Sequence, residues 1–422
     1  MTTPRIAIHD DWRYIKLKYT VQLANSRADS RPDGLPYVGM ENIESHTGRL
    51  IRAQHQDDEQ PPDGISTVNL FEKGDVLFGK LRPYLAKGWL CDFSGASTTE
   101  TLVLRPGPDI HPRYLLHTIL SQDFIREVDT TTFGSKMPRA DWADIGNLQI
   151  YLPSQGIQEK IVALLDSSTA AIDALLAAKQ NLLDLLTEKR RTLTARAITQ
   201  GLNPNATFRD SSIPWLNKIP AHWRIERAKW LFVEQDIRSD SGEEELLSVS
   251  HLTGVTSRAE KNVNMFMAES LEGYKRCAAG ALVINTLWAW MGAMGVARKP
   301  GIVSPAYNVY QPVPELDPEY VDLLVRTQRF AEEVTRYSKG VWSSRLRLYP
   351  EGLYEAWLPV PPKDEQQAIA AHIQTETKKI DDFAQATERT ITLLQERRSA
   401  LISAAVTGQL KIDVSASEVA TA

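Results

Sequence analysis

The chain has 422 residues, a formal net charge of −5 and 24% charged residues. That length suits roughly two or three domains of a soluble globular protein. The mildly acidic balance argues against a chain coated in nucleic acid, yet leaves room for local basic patches. The two cysteines, Cys91 and Cys277, lie far apart and exclude a disulfide framework; they read as reduced thiols of a cytoplasmic protein.

In chain order, the first stretch, MTTPRIAIHDDW, has no apolar core of signal-peptide length. WRYIKLKY follows from Trp12, and then GDVLFGKLRPYL at 74–85. Gly74, Gly79 and Lys80 have the spacing of a phosphate-binding loop, but Leu81 stands where a magnesium-holding hydroxyl belongs. Pro83 follows at once, so no helix opens there to present its N–H groups to phosphate. What remains is Lys80, Arg82, Tyr84 and Lys87 around a turn. DVLFG, TLVLRP and LQIYLP read as short strands between Gly and Pro turns, and PRYLLHTILSQDFIREV as an amphipathic helical region with Pro near its start. TTFGSKMPRADW forms a second loop, with Lys136 and Arg139. After LPSQGIQEK a long helix is predicted. Leu165, Ile172, Leu175, Leu182, Leu186 and Leu193 recur with the alternating spacing of a coiled-coil seam, interrupted by Lys179. GLNPNATF ends it at Gly201 and Pro204.

The second half repeats the first. Trp223 pairs with Trp12, and GALVINTLWAWMGAMGV matches GDVLFGKLRPYLAKGWL, with Gly280 on Gly74 and Leu287 on Leu81. Pro312, Pro314, Pro318 and Tyr320 continue the register on Pro106, Pro108, Pro112 and Tyr114, and Arg345 is set on Arg139. PEYVDLLVRTQRFAEEV is the second helical region. VPPKDEQQAI opens a second long helix, whose seam is Ile373, Ile380, Phe383, Leu394 and Leu401, with Thr387 in the place of Lys179. Ile157 stands where the copy has Glu365, so the two helix starts differ. The uncharged run at 281–297 is long enough to suggest a membrane span, but its copy carries Asp75, Lys80, Arg82 and Lys87, which rules lipid out. A repeat this long is a duplicated two-part module rather than a solenoid. Neither long helix can bury its stripe on one compact domain, so each pairs with the other.

Globular–helix–globular–helix order, with GDVLFGKLRPYLAKG, TFGSKMPRADW, SSIPWLNKIPAHWR, SPAYNVY and PPKDEQQAI in sequence, resembles the DNA specificity subunit of type I restriction–modification systems. The resemblance covers nearly the whole chain. It implies an α+β fold: two mixed α/β target recognition domains, joined by two long helices that pair as an antiparallel coiled coil, in an internal pseudo-twofold repeat. The expected boundaries are 1–153 and 206–361 for the recognition domains, 154–205 and 362–412 for the helical spacers, and 413–422 for a tail. It implies a cytoplasmic, non-catalytic subunit that reads a bipartite, asymmetric site on double-stranded DNA. Its expected partners are two methyltransferase subunits and the restriction, or translocase, subunits, with no membrane. No cofactor is expected on this chain; S-adenosylmethionine, ATP and Mg²⁺ belong to the other subunits.

The residues themselves agree with a non-catalytic reading. No N-P-P-[YFW] methyltransferase signature is present, the eight histidines form no metal-spaced pair, and the one E-x-K, Glu376 to Lys378, lies inside the predicted coiled coil. The candidate DNA-binding residues are Lys80, Arg82, Tyr84, Lys87, Lys136 and Arg139 in the first domain, and Ser343, Ser344, Arg345 and Arg347 in the second. Arginine can be bidentate to guanine or hold a phosphate. For Arg82 a solvated turn stands beside the DNA reading, and for Lys87 the solvated turn is preferred. Trp288 and Trp290 are assigned to the core, on the burial tendency of tryptophan. The alternatives are a recognition module of a methyltransferase outside type I, a coiled-coil scaffold without DNA function, and a nucleotide-driven enzyme using the 74–81 loop, which Leu81 opposes.

Overall fold

The computed structural model describes residues 12–51, 67–260, 270–340 and 346–410. The chain forms two compact units: Met1–Gln180 with Glu388–Ala422, and Asn181–Thr387. The helices are α1 (Pro112–Ile119), α2 (Gln122–Thr130), α3 (Trp142–Ile145), α4 (Gln155–Gln200), α5 (Ala228–Leu231), α6 (Pro318–Val325), α7 (Gln328–Arg336), α8 (Pro350–Glu355) and α9 (Lys363–Val406). At 1.5 Å per residue, α4 is roughly 70 Å long. Each unit therefore holds one globular domain with a stretch of both long helices.

In the first unit the strands are β1 (Arg13–Lys16), β2 (Val21–Leu23), β3 (Arg27–Ala28), β4 (Tyr37–Val38), β5 (Val68–Phe71), β6 (Val76–Gly79), β7 (Gly88–Leu90), β8 (Gly95–Ser97), β9 (Thr101–Pro106) and β10 (Gln149–Leu152). They form an antiparallel sheet in the order β2-β9-β6-β7, a second sheet β3-β5-β8-β4, and the pair β1-β10. Phe78, Leu102, Leu104, Tyr114, Leu115, Ile119 and Phe124 make a core that takes in Ile161 and Leu165 of α4 and Ile402, Ala405 and Val406 of α9. Val38, Phe71, Leu77 and Trp89 fill the space between the two sheets.

In the second unit the strands are β11 (Phe208–Asp210), β12 (Lys218–Pro220), β13 (Arg224–Arg227), β14 (Phe232–Gln235), β15 (Leu247–Ser250), β16 (Gly254–Ser257), β17 (Lys275–Cys277), β18 (Leu282–Asn285), β19 (Met294–Val296), β20 (Gly301–Val303), β21 (Tyr307–Pro312) and β22 (Trp357–Val360). The order β14-β21-β18-β19 and the pair β13-β22 copy the first unit strand for strand. Segment 281–297 is the β18–β19 hairpin and its turn, so no helix exists there to enter lipid. Among the described residues α4 alone is long and apolar enough to cross a membrane; part of its apolar surface enters the domain cores, through Ile161 and Leu165 in one unit and Ala197 and Ile198 in the other, while Leu164, Leu175 and Leu185 stay exposed.

The repeat is built from local signals used twice. Pro112 and Pro318 open α1 and α6, where a missing N–H costs nothing. Ser121 and Thr327 cap α2 and α7, accepting from the Phe124 and Phe330 N–H groups. At the start of each long helix a fully buried glutamine does the anchoring. Gln158 accepts from the His111 N–H and donates to the Asp109 and Pro153 carbonyls. Gln366 accepts from the Asp317 N–H and donates to the Glu315 and Pro361 carbonyls. Ile157 and Glu365 therefore differ without consequence for this anchor, and the Glu365 carboxylate bonds the His222 ring at 2.8 Å instead.

The same logic ties each domain to the end of the other long helix. The Tyr114 hydroxyl lies 2.8 Å from the Tyr151 carbonyl and 3.3 Å from that of Val406 in α9; the Tyr320 hydroxyl donates to Ile198 in α4. The helices run antiparallel within each unit. Arg398 donates to Asp173 at 2.9 Å in the first, and Arg190 to Asp381 at 2.7 Å in the second. Asp173 and Asp381 occupy the same place in the repeat, as do Arg398 and Arg190. Burial separates the two pairs: Asp173 and Arg398 are 10% and 11% exposed, Asp381 and Arg190 about half exposed. Arg49 adds a second cation to Asp173, and Arg398 also donates to the His46 carbonyl.

The predicted seam needs one correction. Leu165, Ile172, Leu186, Ile373 and Ile380 are buried, but Leu175 and Phe383 are half exposed. A four-residue step from Ile172 and Ile380 reaches Leu176 and Ala384, so the 3.5-residue period carries the seam there and turns Leu175 and Phe383 outward.

Candidate nucleic-acid interface

In the first domain the loops at 80–87 and 131–140 are stitched into one surface. The Ala140 N–H donates to Lys80, the Lys80 N–H to Glu100, and the Arg82 N–H to Pro138 at 2.7 Å. Leu81 and Phe133 both form isolated bridges to Arg139. A 3₁₀ turn, Pro83–Leu85, is flanked by Arg82 and Ala86 at positive φ. Proline fixes the first turn position, whereas Arg82 departs from the extended geometry favoured before proline and sits in the left-handed region, held there by its N–H bond to Pro138.

This geometry sorts the candidates. Arg82, Tyr84 and Lys136 are exposed, beside the exposed Phe133 and Met137. Lys80 is half-buried at the junction of the loops. Lys87 donates to the Met40 carbonyl, which accounts for its charge within the fold. Arg139 makes a bidentate pair with Glu100, both bonds at 3.0 Å, and that hydrogen bond and charge raise its pKa. Its guanidinium holds the loop closed. The sequence offered no sign of Glu100 as its partner, because the two are joined only by folding.

The second domain builds the same surface from different chemistry. The Leu348 N–H donates to Thr286, as Ala140 does to Lys80, and Lys339 and Arg347 exchange both backbone hydrogen bonds. Arg347 thus takes the place of Arg139, and the sequence pairing of Arg139 with Arg345 is corrected. Two additional residues lie in the second loop, and only strand pairing locates them. Ser343, Ser344 and Arg345 lie outside the described residues. Arg347 has no carboxylate partner among the described residues, since Ala306 replaces Glu100; it donates to the Thr286 hydroxyl at 3.3 Å and packs over the Tyr349 ring.

The largest departure concerns the tryptophans. The 3₁₀ turn Ala289–Met291 superposes by register on Pro83–Leu85, so Trp288 replaces Arg82 and Trp290 replaces Tyr84. Trp288 is 50% exposed and stacks on the partly exposed Trp290 with rings 17° apart. Neither is a core residue. The turn is anchored by buried Ala289, a small side chain, which leaves the large rings outside.

Other features of chemical interest are structural. Glu376 and Lys378 pair with Lys379 and Asp382 along α9. Cys91 and Cys277 are buried, and burial raises both thiols, Cys277 to about 11, so both stay protonated.

No protein-family model matches the chain. The type I restriction enzyme EcoDI specificity subunit of Escherichia coli is 21% identical over 194 residues, which cover 45% of this chain and 42% of that protein. The match therefore spans less than half the length of this curated relative. A chain from a structure describing complex assembly and conformational transition of the type I R-M system superposes with a TM-score of 0.70, at 19% identity, covering 96% of this chain and 100% of the other. The HsdS subunit from Thermoanaerobacter tengcongensis gives 0.53, also at 19% identity, over 97% and 100%. Along nearly its whole length, the chain therefore has the two-domain fold of the HsdS specificity subunits of type I restriction–modification systems.

Proposed function

We propose that this chain is the DNA-reading specificity subunit of a type I restriction–modification complex. The observation that carries the reading is one stitched loop surface built twice on one fold, with different side chains at its tip. Two copies of one reader with unlike tips suit a bipartite, asymmetric site on double-stranded DNA. On the loop surface of the first domain Arg82 and Lys136 are exposed cations; on that of the second, Arg347 has no carboxylate partner among the described residues. The long helices leave Leu164, Leu175, Leu185, Phe383 and Leu393 exposed, apolar surface suited to docking methyltransferase subunits, with restriction subunits joining that assembly. Catalysis, S-adenosylmethionine, ATP and Mg²⁺ belong to those partners, in the cytoplasm.

The test is to reconstitute the chain with its methyltransferase subunits, map the methylated sequence, and measure binding to duplexes altered in one half-site at a time. Arg82→Ala is expected to weaken one half-site and Arg347→Ala the other. A base contact costs about 1–3 kcal/mol and relaxes one position, whereas a phosphate contact weakens all sequences alike and flattens the salt slope by about one unit. A complex that binds no duplex in a sequence-dependent way refutes the reading.

A further inference from the structure

We propose that the second domain reads its half-site through thymine methyl groups in the major groove, using the surface of Leu287, Trp288, Trp290 and Met291. The inference rests on the DNA reading above and assigns the chemistry of one half of the site.

Position comes first. The turn Ala289–Met291 occupies the place of Pro83–Leu85, and the carbonyl of Thr286 is tied to Leu348 as that of Lys80 is tied to Ala140. Whatever the first domain meets with Arg82, the second meets with Trp288. The surface is also held in shape. Ala289 is buried in the domain core with Phe330 and Val334 of α7, and Gly292 closes the turn at φ +85°. Leu287, Trp288 and Met291 nevertheless remain 46%, 50% and 37% exposed. Apolar side chains fixed outward in one group mark a binding surface.

The hydrogen-bonding inventory then narrows the occupant. Leucine offers no polar group, methionine only a weak acceptor, and tryptophan a donor alone. The Trp290 N–H is already given to the Leu287 carbonyl at 3.1 Å. The patch keeps one indole N–H, on Trp288. Pressed against a guanine, cytosine or adenine edge, it would strip water from donors and acceptors that it cannot satisfy. The thymine C5-methyl is the apolar feature of a major-groove edge. Beside the patch stands Arg347, whose guanidinium lacks a carboxylate partner among the described residues. A cation next to an apolar patch fits a polyanion that displays methyl groups.

The experiment uses the wild-type complex and its mapped recognition duplex. The half-site of the second domain is the one weakened by Arg347→Ala. Each thymine there, on either strand, is replaced singly by deoxyuridine, which lacks only the methyl group. Burial of one methyl predicts about a fourfold loss of affinity at one or more positions. The same replacements in the first half-site set the reference. Trp288→Ala should bind thymine and deoxyuridine duplexes equally, because the partner of the methyl is gone. Three results overturn the proposal: a second half-site composed only of G·C pairs, no deoxyuridine replacement there exceeding the reference, or undiminished sensitivity in Trp288→Ala. In each of them, sequence-specific binding by the wild-type complex would leave the DNA reading standing.

Discussion

Replacing Asp173 and Asp381 by alanine asks what burial does to one ion pair used twice. Both aspartates face an arginine of the opposite long helix, and both pairs have sound geometry. Around Asp173 the carboxylate and the Arg398 guanidinium are nine-tenths buried, and Arg49 and the His46 carbonyl complete the group. Asp173→Ala leaves the Arg398 guanidinium in a poorly solvated place with its carboxylate removed, a change worth about 3–5 kcal/mol. Asp381→Ala releases Arg190 into solvent, and exposed pairs contribute only about 0.2–1 kcal/mol. Hydrogen exchange of helix amides reads each site locally. Amides of α4 around position 173 should exchange roughly a hundred- to several-thousand-fold faster in Asp173→Ala. Amides of α9 around 381 should change by less than about tenfold in Asp381→Ala. Asp173→Leu combined with Arg398→Met should recover most of the loss, since apolar replacement of a buried pair is close to neutral. Equal effects at the two sites, or a double variant as unstable as Asp173→Ala, would refute the claim that desolvation sets the difference.

Gln158→Leu and Gln366→Leu should each destabilise the chain by about 1–3 kcal/mol in denaturant unfolding, because each removes the partner of one part-buried N–H and of two carbonyls, one of them in a buried bond. Asp166 gives a pH dependence. Burial opposes its charge, but the His117 hydrogen bond and the Arg113 guanidinium outweigh burial and hold its carboxyl below the ordinary aspartate value of 3.8. A depressed carboxyl adds stability that is complete above its unfolded value and is lost as pH falls through the folded one. Asp166→Asn should therefore be less stable than wild type at neutral pH, with the gap closing below pH 3.8; a constant gap down to pH 2 would contradict this.

Most of the architecture was legible in the sequence, because duplication prints the same turn, cap and strand signals twice. Gly74 and Gly280, Pro112 and Pro318, and Tyr114 and Tyr320 all fall at matching places in the fold. The long helices and most seam residues followed from periodicity, since burial on one stripe requires that spacing. Other features depended on contacts between distant segments. Local pattern could not choose Leu176 over Leu175, because both are leucines one residue apart. The sequence repeat sets Arg345 on Arg139, whereas the backbone pairing of Lys339 with Arg347 moves the match by two residues. Glu100 neutralises Arg139 from the turn between β8 and β9, far away in the chain, so local pattern could not show that its charge is cancelled. The average tendency of tryptophan to be buried placed Trp288 and Trp290 inside. Only the packing of Ala289 into the core, with the turn it anchors, put their rings outside, where they define the candidate site.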